Sequence, residues 1–107
     1  MATITRGRRD ELVRKLKTVL DEFEKEHPGA IASVYRQNSA SIRVRIVADR
    51  FDGKSKGARH DYAWKFITDR LTDDEIQEIS VLLLLTPDEQ TSSMMNFEFD
   101  DPISSKL

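Results

Sequence analysis

The side chains best suited to chemistry lie close together, within residues 48–60. His60 carries an imidazole, which can bind a metal, move a proton or contact a partner. Trp64 and Ile67 follow it by four and seven residues, so the three share one stripe of a predicted helix. Three interpretations follow: a partly buried histidine beside the indole, a ligand or partner contact, and a catalytic base. A base needs an orienting carboxylate, and Asp61 points to a different side of the helix.

The segment before His60 has features of two phosphate-binding loops. Residues 48–55 (Ala-Asp-Arg-Phe-Asp-Gly-Lys-Ser) fit a loosened Walker A pattern, with Ala in place of the first Gly. Phe51 and Asp52 stand where a phosphate cradle needs small residues and open amides. Residues 53–57 (Gly-Lys-Ser-Lys-Gly) are one residue longer than the Gly-x-x-Gly loop of KH domains. Nucleotide hydrolysis is therefore disfavoured, while a weak anion site and a nucleic-acid contact stay open.

The nucleic-acid hypothesis rests on basic residues in and around this loop. Residues 41–47 alternate apolar and polar side chains, which predicts a half-buried strand with a basic outer face. The candidate contacts to nucleic acid or a partner are Arg43, Arg45, Arg50, Gly53, Lys54, Lys56 and Arg59. The alternative is a solvated loop with a helix cap.

Composition narrows the class of protein. The chain has 107 residues, enough for one domain, and 38% of them are hydrophobic. It has no cysteine, which excludes a disulfide scaffold, a thiolate zinc site and a cysteine nucleophile. No signal peptide is recognisable, and the longest apolar run, residues 81–85, is far too short to span a bilayer. We therefore expect a soluble, cytoplasmic protein without contact to membranes.

The charges are unevenly distributed along the chain. Residues 1–70 contain sixteen basic and ten acidic residues, a balance of +6. Residues 71–107 contain one basic and nine acidic residues, a balance of −8. This asymmetry allows an acidic tail to compete with a partner for a basic face, although charge of either sign also serves to keep a small domain in solution.

The pattern of apolar residues predicts a small α/β (α+β) domain with the order α-β-β-α-α-β. The predicted elements are a helix at 8–26, strands at 31–36 and 41–47, a helix at 57–70, a short helix at 72–79 and a strand at 80–85. Three strands would form one mixed sheet, with the helices on one face. The predicted domain covers residues 1–90, of which 1–7 form a flexible arm.

The last predicted strand is apolar on both faces and needs a cover. Residues 91–107 form a polar, acidic tail whose four large apolar side chains could pack back over it: Met94, Met95, Phe97 and Phe99. A homodimer through strand 81–85 is the alternative cover.

The stretch from Val47 to His60 resembles the signature of the BolA-like family. That family has an Asp-Arg-Phe-x-Gly turn after its second strand and an Arg-His pair early in the next helix, matched here by residues 49–53 and by Arg59 and His60. Residues 86–89 (Thr-Pro-Asp-Glu) are similar to the family's Thr-Pro-Glu-Glu ending, and the likeness covers about residues 8–90. The family often has a Cys or His before the second strand, where this chain has Gln-Asn-Ser-Ala-Ser at 37–41.

This resemblance implies a KH-related fold and a non-enzymatic adaptor or regulator. BolA-like proteins pair with monothiol glutaredoxins and share a [2Fe–2S] cluster, for which the histidine of the Arg-His pair is a ligand. By that resemblance His60 is the cofactor and metal ligand, and the glutaredoxin partner and glutathione supply the thiolates. Family members are also viewed as nucleic-acid-binding regulators. Two alternatives therefore stay open: a KH-like nucleic-acid-binding module, and an interaction domain without a cofactor.

Overall fold

The computed structural model describes residues 1–102 of the chain; residues 103–107 of the predicted tail lie outside the described part. The strands are β1 (Thr3–Ile4), β2 (Ile31–Asn38), β3 (Ser41–Val47) and β4 (Ile79–Leu85). The helices are α1 (Glu11–Glu26), α2 (Lys56–Thr68), α3 (Asp73–Ile76), α4 (Pro87–Gln90) and α5 (Met94–Asp100), with a 3-10 turn at Asp49–Phe51. None of these helices is long and apolar enough to cross a membrane.

The strands form one mixed sheet in the order β1-β2-β3-β4. β2 and β3 pair as an antiparallel hairpin, whereas β1 is parallel to β2 and β4 is parallel to β3. The predicted α/β class and mixed sheet are thus confirmed. The strand number is corrected from three to four, and the predicted element order lacked β1, α4 and α5.

The additional strand β1 lies within the segment that was predicted to be a flexible arm. Thr3 pairs with Ser33 and Ile4 with Val34, and the side chains of Ala2 and Ile4 are buried. The Ala2 amide also donates to Asp21 in α1 at 2.6 Å. The short apolar stretch at residues 2–4 thus completes the sheet edge.

α1 covers the first face of the sheet and forms the core with it. Asp10 caps its N-terminus by accepting from the Val13 amide at 3.1 Å. Its buried stripe consists of Val13, Leu16, Val19, Leu20 and Phe23. The apolar side chains of β3 join the same cluster: Ile42, Val44 and Ile46. Burial of each such side chain stabilises the fold by about 1.5–3 kcal/mol relative to leaving it exposed.

The second face of the sheet is covered by α5, so the helices do not all lie on one face as predicted. Arg43 and Arg45 alternate with the core residues of β3 and therefore project from this face. Phe99 packs edge-on against Tyr35, with ring centroids 4.9 Å apart. Of the four apolar side chains predicted to pack back, the structure buries Phe99 and leaves Met94, Met95 and Phe97 exposed.

Two glycines with similar backbone conformations test whether the N-terminal segment packs as described. Gly7 has φ +76° and Gly53 has φ +75°, a region that costs an L-residue about 1–2 kcal/mol. A Cβ on Gly7 would collide with the Arg36 carbonyl oxygen, whereas a Cβ on Gly53 would meet no atom within 4 Å. Gly7→Ala should therefore lower the free energy of unfolding clearly more than Gly53→Ala, measured by urea denaturation. Equal losses would contradict the packing of this segment against β2.

Candidate partner-binding site

The N-terminus of α2 is fixed by local hydrogen bonds. Phe51, in the 3-10 turn, is buried in the core, and Gly53 turns the chain toward the helix with its positive φ. The Ser55 hydroxyl then accepts from the Ala58 amide at 3.1 Å and caps α2. These contacts place Arg59 and His60 in the first turn and a half of the helix.

Arg59 points inward and joins four parts of the chain. Its Nε donates to the carbonyl oxygens of Phe51 at 3.0 Å and Lys54 at 3.1 Å. One terminal nitrogen donates to the Leu84 carbonyl at 3.2 Å, and both terminal nitrogens contact the Glu89 carboxylate, at 2.6 and 3.2 Å. A planar guanidinium can bind several acceptors at once because its five N–H groups point in fixed directions. Arg59 thus fixes the loop, α2, β4 and α4 relative to one another.

Glu89 completes this cluster from the other side. It forms a capping box with Thr86 at the start of α4. The hydrogen bond from Arg59 and that from the Thr86 amide lower the pKa of Glu89 from 4.5 to about 2. The carboxylate therefore stays ionised in the folded protein at pH values where it takes up a proton in the unfolded chain.

His60, next to the inward-pointing Arg59, is exposed. Its ring stacks on Trp64 with centroids 5.6 Å apart and an interplanar angle of 24°. It lies on the rim of a cleft of about 450 Å³, which we call the α2–β4 groove. The groove is lined by Lys56, Gly57, Arg59, His60, residues 82–85, Ser93 and Met95. An accessible imidazole therefore borders an apolar floor.

One wall of the groove is the open edge of the sheet. Within residues 1–102, β4 pairs with β3 and with no other strand. The Leu85 carbonyl accepts from Ala48, at the end of β3, so the alternation of the strand directs the backbone groups of Leu82 and Leu84 toward the groove. The Leu84 carbonyl already accepts from Arg59. The backbone donor and acceptor of Leu82 are therefore directed toward a segment that approaches this edge.

The predicted contact residues separate into two sets. Gly53, Lys54 and Lys56 are exposed in the loop and first turn beside His60. Arg50 also lies at the surface, with its guanidinium 4.6 Å from the Tyr62 ring centroid.

The other predicted arginines make internal contacts. Arg59 belongs to the cluster just described. Arg43 contacts Glu98 at 2.6 and 2.7 Å, and Arg45 contacts Asp100 at 2.7 Å. The continuous basic surface that the sequence suggested therefore does not form, because acids of α5 neutralise its strand half.

Sequence reasoning did not assign the groove wall or the contacts of α5. Met95 was predicted to belong to a packing tail and residues 82–85 to a strand. No local sequence pattern indicates that they meet beside His60. The acids Glu98 and Asp100 were visible in the sequence, but two residues apart they lie on different sides of a helix, so their spacing did not predict a pairing with Arg43 and Arg45.

The donor atoms at the site limit what this chain can coordinate alone. Within residues 1–102, no group of three or more His, Asp and Glu side chains is placed to hold a metal ion. His60 offers one imidazole at the groove. The other histidine, His27, is buried, with Nδ1 2.7 Å from the Phe23 carbonyl and Nε2 against the Tyr62 hydroxyl. A cluster held here would need its remaining ligands from a partner.

The depressed pKa of Glu89 predicts a pH-dependent stability. A carboxyl whose folded-state pKa lies below its unfolded value contributes stability above the unfolded value and loses it as pH falls through the folded value. Here that window runs from about pH 4.5 down to about pH 2. Glu89→Gln should therefore flatten the decline of unfolding free energy across this window, measured by urea titrations at several pH values. The neighbouring exposed acid Asp88, changed to Asn, is the control and should keep the wild-type slope.

Comparison with known proteins adds no relative. A scan against protein-family models, a search of the curated proteins and a search of the solved structures each found no match. The likeness of residues 47–60 to BolA-like proteins therefore rests on those residues, and the function it implies is a proposal.

Proposed function

We propose that this chain is a non-enzymatic adaptor of the BolA-like kind, which binds a protein partner such as a monothiol glutaredoxin over the α2–β4 groove. The observation that carries the proposal is the exposure of His60 on the rim of an apolar groove, next to an Arg59 that is fully engaged inside. The Arg59 cluster ties two walls of the groove, α2 and β4, to each other.

The groove suits a protein partner because it combines apolar side chains, backbone hydrogen-bonding groups and polar side chains. Its floor is apolar, its open strand edge offers backbone hydrogen bonds at Leu82, and its rim carries Lys56 and His60. Apolar contact then supplies affinity, while the polar rim sets the orientation of the partner.

We further propose that His60 donates an imidazole ligand to a [2Fe–2S] cluster shared with that partner. This chain has no cysteine, so the partner and glutathione would supply the thiolates. A bound cluster would supply redox-sensitive iron at the interface. This chain's own residues would hold the imidazole in place: Trp64 stacks on its ring, and the Arg59 cluster fixes the first turn of α2.

Nucleic-acid binding is a less favoured function, because Arg43, Arg45 and Arg59 form ion pairs within the chain. The exposed basic remainder around Lys54 and Lys56 is small for a phosphate-tracking surface. The homodimer through strand 81–85 is also less favoured, because Arg59 already occupies the outward carbonyl of Leu84.

The test is anaerobic co-expression with a monothiol glutaredoxin, followed by size exclusion and visible absorption spectroscopy. The wild-type chain should elute in a coloured heterocomplex. His60→Ala should lose the characteristic spectrum, because the imidazole ligand is gone, while keeping its circular dichroism.

Lys65→Ala is the matched control, since Lys65 lies on the same helix and is paired only with Asp69 in the described contacts. It should leave both the complex and the spectrum unchanged. Separate, colourless elution of the wild-type chain would contradict the adaptor proposal. An unchanged spectrum in His60→Ala would contradict the role of His60 as a ligand.

A further inference from the structure

The second face of the sheet recognises α5 through a specific set of contacts. Arg43 binds Glu98 and Arg45 binds Asp100, while the Tyr35 hydroxyl donates to the Phe99 carbonyl at 2.8 Å. The Phe99 ring contacts both Tyr35 and the Arg45 guanidinium, whose carbon is 4.6 Å from the ring centroid. The face thus binds an aromatic ring flanked by two carboxylates.

Arg45 and Arg6 make further contacts with α5. Arg45 also donates to the Asn96 side-chain oxygen at 2.7 Å. Arg6 contacts the Asp100 carbonyl and lies 5.4 Å from the Tyr35 ring centroid. Three guanidinium groups therefore converge on a segment that carries two carboxylates.

The attachment of α5 has the properties of a displaceable cover. The helix has seven residues, fewer than the roughly 12–15 that an isolated helix needs for stability in water. Its apolar residues are divided: Phe99 is buried, whereas Met94 is 77%, Met95 57% and Phe97 51% exposed. Charged hydrogen bonds therefore carry much of the attachment, and salt and competing anions weaken such bonds.

The fit between α5 and the face is incomplete. The Nε atom of Arg43 is buried and has no hydrogen-bond partner among the described residues. A buried donor without an acceptor costs free energy, which another segment could recover by offering one more oxygen. The excess of basic over acidic residues in 1–70 would attract such an acidic segment.

We infer that the sheet face formed by Tyr35, Arg43 and Arg45 is a second protein-binding site, for a partner segment that carries an aromatic side chain between acidic residues. α5 is its built-in occupant, and partner and α5 exclude each other. Because Ser93 and Met95 also line the α2–β4 groove, displacing α5 removes one wall of that groove. The two sites are therefore coupled, and the coupling is reciprocal.

The test uses the full chain with the cover loosened by the near-isosteric pair Glu98→Gln and Asp100→Asn. The probe is a fluorescein-labelled peptide with the sequence of residues 91–102, which keeps both acids. In the wild-type chain the tethered α5 competes at high effective concentration. Loosening it raises the open fraction, so the peptide should bind the variant about tenfold more tightly than the wild type.

Three controls assign the binding to this face. Glu22→Gln with Asp69→Asn removes the same charge from two remote surface ion pairs and should leave peptide affinity at the wild-type value. Adding Arg45→Gln to the loosened variant should abolish the gain. A peptide in which alanine replaces the residue equivalent to Phe99 should not bind.

Amide hydrogen exchange supplies a readout independent of affinity. Excess peptide should speed exchange in α5 and leave α1 unchanged. Equal binding to wild-type and loosened chains, or binding without faster exchange in α5, would overturn the inference. Binding of a labelled oligothymidylate but not of the peptide to the loosened variant would also overturn it, since the face would then take nucleic acid.

Binding of a partner segment at this face does not depend on the proposed function, whereas its coupling to the α2–β4 groove rests on it. The peptide measurement uses neither a glutaredoxin nor a metal, so its failure would leave the role of His60 unaffected, and the reverse also holds.

Discussion

The Arg59 guanidinium is the interaction on which the geometry of the site depends. It is buried, and its hydrogen bonds reach two loop carbonyls, the edge strand β4 and the Glu89 carboxylate. A buried charge is tolerable only when its donors are satisfied, and removing one partner costs more than the pair contributes. The loop, α2 and α4 are thereby held together, and the next residue, His60, is left free at the surface. The inward orientation of Arg59 thus leaves His60 accessible to a partner.

A second set of arginines connects other elements to the two faces of the sheet. Arg36 contacts Asp10, the cap of α1, and Glu78 at 3.0 Å, just before β4. Arg43 and Arg45 hold α5 in the same manner. The sheet therefore uses guanidinium groups, as well as apolar burial, to connect peripheral elements to its strands. Small domains bury little apolar area, and directional contacts of this kind add specificity to their packing.

Much of the fold was predictable because local rules determine it. The apolar residues at helical spacing up to Phe23 and the alternation in strand 41–47 predict α1 and β3, and the short helix predicted at 72–79 corresponds in part to α3. β1 was not predicted, since two residues show no periodicity and their pairing with β2 is long-range. α5 was predicted to be part of a tail, because the contacts that hold it against the sheet come from arginines 55 positions away in sequence.

The candidate site was predictable only in part, because local patterns determine some of it and contacts between distant residues determine the rest. His60 could be singled out from its neighbours in the sequence, but whether it faces in or out depends on Arg59, Glu89 and Leu84, which meet only in the folded chain. Docking of a partner on the α2–β4 groove can be mapped by an NMR titration of the ¹⁵N-labelled chain with a metal-free monothiol glutaredoxin. Amide shifts should concentrate at His60, Leu82 and Leu84. Shifts confined to β1 and the outer face of α1 would contradict docking in the groove.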